Sequence, residues 1–512
     1  MRFLTNCFVN YFMIKYTFLI FFVIINAQVW ESSFIAGTFD DNNNFMGGSE
    51  VLQLVSHKNK LFASISYWQD ESNIWYGGSN PNIGWSQIIS LNSPNEDWFV
   101  DLDLESYYLR PEILKQVIFT KDMFGNYLST PDTLLITAAY SSNFIFSPVT
   151  ASAFIRNDEN DSWNTSIIYE GELPVGSESY SIRDMQIYTD QVTGMEMLFI
   201  SVGTKGIFVG KYNPNLDQKI EWNSIPEFGS LDMRSLGIIV ANNELYFSSG
   251  NKIYKRVDGF NPSYIIAHDF SDLSSNINSA VGGIRGLTTI NNEDNDSILL
   301  MWCPNSQSKG TIFRLDPNSS DGFDRIYETK LSLLVEDYLP STSVNYLLGA
   351  YNEFLKVFNH SDNEYYHIVG FEATIQGGNY PLWNGYYSGA LFAIRDSNAE
   401  YTLEEINESI SFNDPELVAT RCYVESPFLN ENAIYFGGFD PNGFLSTNKA
   451  WIYKKINTLS GDINSDGIIN VLDVIQLVNI ILINEYLQIG DLNEDQTINI
   501  LDIIQLVNII LN

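Results

Sequence analysis

Aspartate and asparagine oxygens are hard ligands, and near the C-terminus they recur at alternate positions of a segment that is written twice. Residues 461–473 read Gly-Asp-Ile-Asn-Ser-Asp-Gly-Ile-Ile-Asn-Val-Leu-Asp, and residues 490–502 read Gly-Asp-Leu-Asn-Glu-Asp-Gln-Thr-Ile-Asn-Ile-Leu-Asp. The offset is constant at 29 residues, 491 − 462. Numbered from its first Asp, each copy puts oxygen side chains at positions 1, 3, 5, 9 and 12. That is the spacing at which a twelve-residue loop wraps a hard cation, with position 7 adding a backbone carbonyl. Each loop runs into a nearly identical apolar stretch, residues 474–482 and 503–511.

The repeat resembles a type I dockerin, the small module by which secreted bacterial proteins plug into a cohesin on a scaffold or cell surface. The resemblance covers residues 461–512 and rests on two features. Asp473 and Asp502 close the loops where a standard EF-hand has Glu, and the unit is a duplicated loop and helix with no entering helix. It implies a small α-helical module holding two Ca2+ ions and a cohesin-like partner or cell-surface scaffold protein. The ligands it implies are Asp462, Asn464, Asp466, the Ile468 carbonyl, Asn470 and Asp473, then Asp491, Asn493, Asp495, the Thr497 carbonyl, Asn499 and Asp502. Two departures matter. Gln496 stands where the loop needs Gly at position 6 for its sharp turn, so the second site is expected to be the weaker. Positions 10 and 11, commonly a polar pair in cellulosomal dockerins, are Val471-Leu472 and Ile500-Leu501. These apolar pairs point to a partner outside the usual cellulosomal pattern, or to packing against the module itself. The plainer alternative is that calcium only folds a C-terminal cap, since so small a unit hardly supports a core without metal.

The other end of the chain bears on the compartment. Met13-Ile14-Lys15, an apolar run over residues 16–25 and Asn26-Ala27-Gln28 have the charged start, short apolar core and small-residue exit of a secretory signal peptide. Residues 1–27 are therefore expected to be removed, and a start at Met13 gives the more ordinary signal. The run is short for a membrane span, and no later segment is apolar enough to be one. The protein is expected to be secreted, extracellular or cell-surface attached. The formal net charge of −35 speaks against nucleic-acid or anionic-membrane partners, which reward clustered Lys and Arg. After signal removal Cys303 and Cys422 remain, in distant repeats, and are expected to be buried free thiols. His57, His268, His360 and His367 offer no zinc spacing.

Residues 30–455 read as all-β. Short runs rich in Ile, Tyr, Phe and Val alternate with Asn, Asp, Gly, Ser and Pro, and no amphipathic helical period interrupts them. The runs recur in a fixed order. Arg183, Arg234 and Arg285, each 51 residues after the last, open an apolar strand, and three further strands follow before the next opening. Four strands per period is the unit of a β-propeller blade. Looser copies open near Val51, Arg110, Val344 and Arg421, which makes seven blades the first choice, with six or eight open because of insertions at residues 69–84 and 377–387. The last copy lacks an outer strand, which residues 33–39 are positioned to supply. Residues 456–460 form the linker to the dockerin-like domain, residues 461–512.

In a propeller the opening strand of each blade lines the central channel, so Arg110, Arg183, Arg234, Arg285 and Arg421 are candidates for a converging cationic ring. Such a ring suits an anionic ligand, a uronate or sulfated glycan, because guanidinium pairs bidentately with carboxylate and sulfate. Alternatively each Arg pairs with an acid of a neighbouring blade, such as Asp184 or Glu112. Enzymatic signs are thin. Ser319-Ser320-Asp321-Gly322 does not complete a sialidase-type turn, Asp101, Asp103 and Glu105 read as a solvated strand, and neither a nucleophile elbow nor HExxH is present. Trp68, Trp75, Trp85, Tyr380, Trp383, Tyr386 and Tyr387 offer sugar-stacking surface or loop packing. Two functions stand: a ligand-binding, carbohydrate-binding propeller attached through its dockerin-like tail, or a carbohydrate-active enzyme, glycoside hydrolase or polysaccharide lyase, tethered by that tail in polysaccharide degradation.

Overall fold

The computed structural model describes residues 29–67, 86–104, 108, 110–141, 148–279, 281–291, 295–319, 322–359, 364–377, 385–406, 417–429, 431–440, 449–456, 461–464, 469–483, 486–493, 495 and 497–511. The signal segment, linker residues 457–460, Trp68, Trp75, Trp85, Glu105, Ser320, Asp321, His360, Tyr380, Trp383, Asp466, Ile468 and Gln496 lie outside the described residues.

Seven four-stranded antiparallel units account for the body of the chain. Blades two to five are successive meanders, and blade one runs Glu50–His57, Lys60–Ser66, Gln87–Leu91, Phe99–Asp103. Blade seven is built from both ends of the domain. Ala419–Glu425, Ala433–Phe439 and Trp451–Ile456 supply three strands, and Val29–Ile35 adds the fourth, antiparallel to Trp451–Ile456. The expected closing strand is therefore real and starts four residues earlier than the sequence suggested. The inner strands meet in a ring. Those of blades seven, one, two, three, four and five touch in turn, and blade six closes the circuit through Ser343–Gly349 and Glu364–Gln376. The fold is a seven-bladed β-propeller.

The local chemistry explains the strands. Lys58-Asn59 and Asn242-Asn243 take positive φ at both positions, the two-residue turn whose twist matches that of paired strands, and so fold the first hairpins of blades one and four. Second strands such as Glu196–Val202, Ser297–Cys303 and Ala433–Phe439 are buried along their whole length, because both faces of each sheet lie against a neighbouring blade. Seven apolar clusters fill the seven interfaces. Ile136, Met185 and Phe208 belong to the layer between blades two and three, and Val51, Tyr435 and Ile452 to the layer between seven and one. Cys303 and Cys422 are buried free thiols, as expected.

Two features depart from the sequence reading. A two-turn helix, α1 (Leu331–Tyr338), sits between blades five and six with Leu331 and Val335 buried, and eight residues are too few to announce a helical period. The inner strand of blade six is also broken. Ser343–Gly349 and Leu355–Asn359 pair antiparallel with the same partner, Glu364–Gln376, on either side of a break: Gly349 lies opposite Phe371 and Leu355 opposite Ile368, and the residues between, 350–354, bulge from the strand into the channel. The C-terminal region holds helices α2 (Val471–Ile483) and α3 (Ile500–Leu511).

Candidate functional site

The bulge in blade six places Tyr351 among the five opening arginines. Its ring centroid lies 3.6 Å from the Arg183 guanidinium carbon, 4.9 Å from that of Arg421, 5.7 Å from Arg285 and 5.9 Å from Arg110. Asn352 anchors the bulge by donating from Nδ2 to the carbonyls of Leu52 (2.8 Å) and Arg421 (2.9 Å), and it accepts from Gln53 Nε2 at 2.6 Å. The Phe354 N–H donates to Thr288 Oγ1 at 2.8 Å. Gly286 gives the bulge room. It holds φ +58°, and a Cβ there would lie 2.4 Å from that of Ala350.

Among the described residues, three carboxylates pair with these arginines. Glu50 takes Arg110 Nε at 2.9 Å, Glu112 takes Arg110 Nη1 at 3.0 Å and stands 3.7 Å from Arg183 Nη1, and Glu372 takes Arg421 Nη2 at 3.0 Å. Arg110 Nη2 also donates to the Tyr351 hydroxyl at 2.8 Å. Arg285 bonds only main chain among the described residues, the carbonyls of Gly349 (2.9 Å) and Val281 (2.6 Å). Arg234 donates to Ser181 Oγ at 3.2 Å. Arg183 Nε is buried and has no hydrogen-bond partner among the described residues.

The charge state divides the ring. For Arg110 and Arg421, burial opposes the charge, but Glu50 with Tyr351 and Glu112, and Glu372 with Glu50, overcome it and raise the pKa. For Arg234 and Arg285, burial is reinforced by Arg183, and the pKa falls, to about 10 for Arg285. Five guanidinium groups therefore face three carboxylates, and the cationic excess gathers on the side of Arg183, Arg234 and Arg285. Of the two acids expected to pair with arginine, Glu112 does so. Asp184 does not, because it accepts from Lys115 Nζ at 3.3 Å and from the backbone N–H of Ile238 at 2.7 Å. Beyond Tyr351, a 230 Å3 cavity is bordered by Lys115, Asp184, Asn352, Glu353 and Tyr423.

Sequence reasoning found the arginines but missed Tyr351, Glu50, Glu372 and Lys115. The polar Tyr351-Asn352-Glu353 run inside an otherwise apolar strand was the available sign of the bulge. Glu50 and Glu372 sit within apolar runs that gave no reason to single them out.

In the C-terminal repeat, the Asp closing each loop is its hub. Asp473 is fully buried and accepts from the N–H groups of Ile463 (2.8 Å), Asn464 (3.1 Å) and Asn470 (2.7 Å). Asp502 repeats the pattern with Leu492, Asn493 and Asn499 at 2.9, 3.3 and 2.8 Å. Asn470 and Asn499 cap the helices by accepting the Leu472 and Leu501 N–H groups, each at 2.8 Å. Among the described residues, the carboxylates of neither loop gather into a closed metal-ligand cluster. The second loop's Asp495 N–H donates to Asp491 at 3.1 Å and Asn493 at 3.0 Å. Even so, the donor set fits a cation. Asp462, Asp473, Asp491 and Asp502 are all buried, and residues 461–512 contain no Lys, Arg or His. Buried carboxylates without a counter-charge are costly, and bound Ca2+ would supply it.

Residues 460–511 match the family model described as the dockerin type I domain, and this region is such a domain. Dockerin type I domains generally bind calcium, and dockerins bind cohesins. No curated protein matches the chain. Among solved structures, the chain is similar to the GH93 alpha-L-arabinofuranosidase of Fusarium graminearum with arabinobiose, at 9% identity and TM-score 0.40, covering 83% of this chain and 98% of that one. It is also similar to the alpha-L-arabinanase of Penicillium chrysogenum (10% identity, TM-score 0.34, covering 75% and 99%). A third is the Aleuria aurantia lectin (10% identity, TM-score 0.34, covering 70% and 94%). The propeller assignment rests on the seven four-stranded units and their closed ring of contacts. No helix of the described residues is long and apolar enough to cross a membrane.

Proposed function

We propose that this is a secreted protein whose dockerin domain, holding two Ca2+ ions, attaches a ligand-binding propeller to a cohesin-like partner on a scaffold or cell surface. The observation that carries the docking half is a duplicated apolar face. Val471, Leu472, Ile475 and Leu482 of α2 recur as Ile500, Leu501, Ile504 and Leu511 of α3, all more than half exposed. The apolar pairs at positions 10 and 11 are thus turned outward, which disfavours packing against the module and suits an apolar partner surface. Replacing Leu472 and Leu501 together by Asp is expected to cost about 2 kcal/mol or more of partner affinity, with the calcium-bound fold intact by circular dichroism. Undiminished calcium-dependent capture of the partner by that variant would refute the assigned face.

In the propeller, the excess charge of Arg183, Arg234 and Arg285 favours an anionic ligand, a uronate or sulfated glycan, approaching the channel layer. Support comes from the unpartnered buried Nε of Arg183 and from the absence of any carboxylate partner for Arg285 among the described residues. Arg234→Ala is expected to weaken binding of polygalacturonate or heparin to the full-length mature protein roughly tenfold or more while leaving the melting temperature unchanged, since a charge-assisted pair contributes about 1.5–3 kcal/mol. Equal binding by the variant, or none by the native protein, would make the arginines a purely structural hub. Release of reducing ends or unsaturated uronates from the same polysaccharides would instead establish the tethered enzyme.

A further inference from the structure

A second cavity of 670 Å3 opens between blades five and six, at the face where the inner strands end. On blade six, Lys356, His367 and Arg395 stand side by side across three adjacent strands, in the registers Lys356↔His367 and His367↔Arg395. Paired residues of neighbouring strands share a face, so the three side chains form one row. Blade five faces them with Ser297, Arg314 and Asp316.

The two guanidinium groups in this cleft already have matched carboxylate partners. Buried Glu328 takes Arg395 through two bonds of 2.7 Å, Arg314 Nη1 at 3.1 Å and the Tyr401 hydroxyl at 2.5 Å. Asp316 holds Arg314 through bonds of 2.7 and 2.9 Å and accepts from Ser297 Oγ at 2.8 Å. His367 differs. It is 5% exposed, lines the cavity, and its Nδ1 has no hydrogen-bond partner among the described residues. Burial, with Arg395 and Lys356 beside it, lowers its pKa to about 4, so the ring is neutral at physiological pH. At the rim Tyr365 is half exposed, with the Lys356 ammonium 4.3 Å from its ring centroid.

A charged ligand would disturb guanidinium–carboxylate pairs that balance one another. A neutral polyhydroxylated ligand would use what those pairs leave over: spare carboxylate lone pairs, guanidinium N–H groups and an imidazole nitrogen. The exposed tyrosine supplies the apolar surface that the C–H face of a sugar ring needs, and the volume falls within the range of small-ligand sites. We propose that this cleft binds a neutral sugar unit of a glycan, with Tyr365 against the ring face and His367, Asp316 and Arg395 hydrogen-bonded to its hydroxyls. The site is separate from the arginine layer of the channel and does not depend on it. Lys356 borders both cavities, whereas Tyr365 and His367 border only this one.

The chain has four histidines, which makes histidine-selective NMR of the full-length mature protein practicable. Glucose, galactose, mannose, xylose and arabinose would each be titrated to about 20 mM, well above the roughly millimolar Kd expected for a single sugar. At least one is expected to shift the His367 ring resonances saturably. The shift should persist in Arg234→Ala and weaken tenfold or more in Tyr365→Ala. His367→Gln, which keeps a polar group in the site, provides a second check, with affinity read by calorimetry and expected to fall several-fold. A His367 resonance unmoved by all five sugars, or affinity unchanged in both variants, would overturn the proposal.

Discussion

Chelating calcium with EDTA is expected to unfold residues 461–511 and leave the propeller folded. The domain carries acids but no Lys, Arg or His, and Asp462, Asp473 and Asp502 are fully buried. The apolar core is small: Ile463, Leu477 and Leu506 are buried, with partly covered neighbours such as Ile469, Val474 and Ile503 around them. So little burial cannot hold carboxylates away from water unaided, and metal binding becomes folding free energy. With free Ca2+ about a thousandfold above Kd, linkage alone contributes about 4 kcal/mol, enough to decide whether this domain folds. The two parts can be read separately. Every Trp lies outside residues 461–512, so Trp fluorescence follows the propeller while helical circular dichroism follows the tail. Calcium titration should recover the helices in two unequal steps, the weaker tied to the loop with Gln496, and Gln496→Gly should bring the steps together. Asp473→Ala, which removes three backbone contacts and a proposed calcium ligand, should prevent refolding at any accessible calcium concentration. Retention of the helices in EDTA would show that the core suffices and that the paired loops serve another purpose.

How far the sequence foretold this molecule depended on whether a feature repeats. The paired loops, and three of the five opening arginines (Arg183, Arg234 and Arg285), recur at fixed offsets, so their spacing could be read directly. Turns were legible only in general, as Asn, Asp, Gly, Ser and Pro between the apolar runs; Asn59, Asn242 and Asn243 fit that pattern because Asn is among the few residues that tolerate positive φ. The bulge that carries Tyr351 occurs once, in the one blade whose inner strand is broken, and a single event leaves no period. The carboxylates of the channel were hidden for a related reason. Glu50 pairs with Arg110, 60 residues away, and Glu372 with Arg421, and such partners are chosen by the closure of the ring. α1 was missed because two turns of helix between strands present only Leu331, Leu334 and Val335 as a pattern.

Removing residues 29–44 is expected to destabilise the whole propeller, an effect out of proportion to the length lost. Val29–Ile35 pairs with Trp451–Ile456 in six residue registers, so the first strand of the domain completes the last blade. Its side chains enter two layers. Phe34 is buried with Val51, Tyr435 and Ile452 between blades seven and one, while Trp30 packs edge-on against Phe436 at 5.2 Å and Phe392 at 6.1 Å between blades six and seven. Trp98 Nε1 also donates to Ser33 Oγ at 2.9 Å. The loss of one buried and one partly buried aromatic side chain, at up to about 3–5 kcal/mol each when truncated, together with an unpaired outer edge on Trp451–Ile456, sums to several kcal/mol. That is most of the stability a folded domain typically has. The truncated protein should therefore melt far below the intact one or fail to accumulate, while removal of residues 457–512 should leave the melting temperature of the propeller unchanged. Phe34→Ala tests the same closure with a single side chain and should reproduce about half of the loss. The effect must also be one of closure, which a synthetic peptide of residues 29–46 can decide. Added in trans, it should restore the melting transition at concentrations above its Kd, because the strand needs only to pair and pack and does not need covalent attachment. An unchanged melting temperature after truncation would mean that six complete blades and a three-stranded seventh hold the ring without a latch.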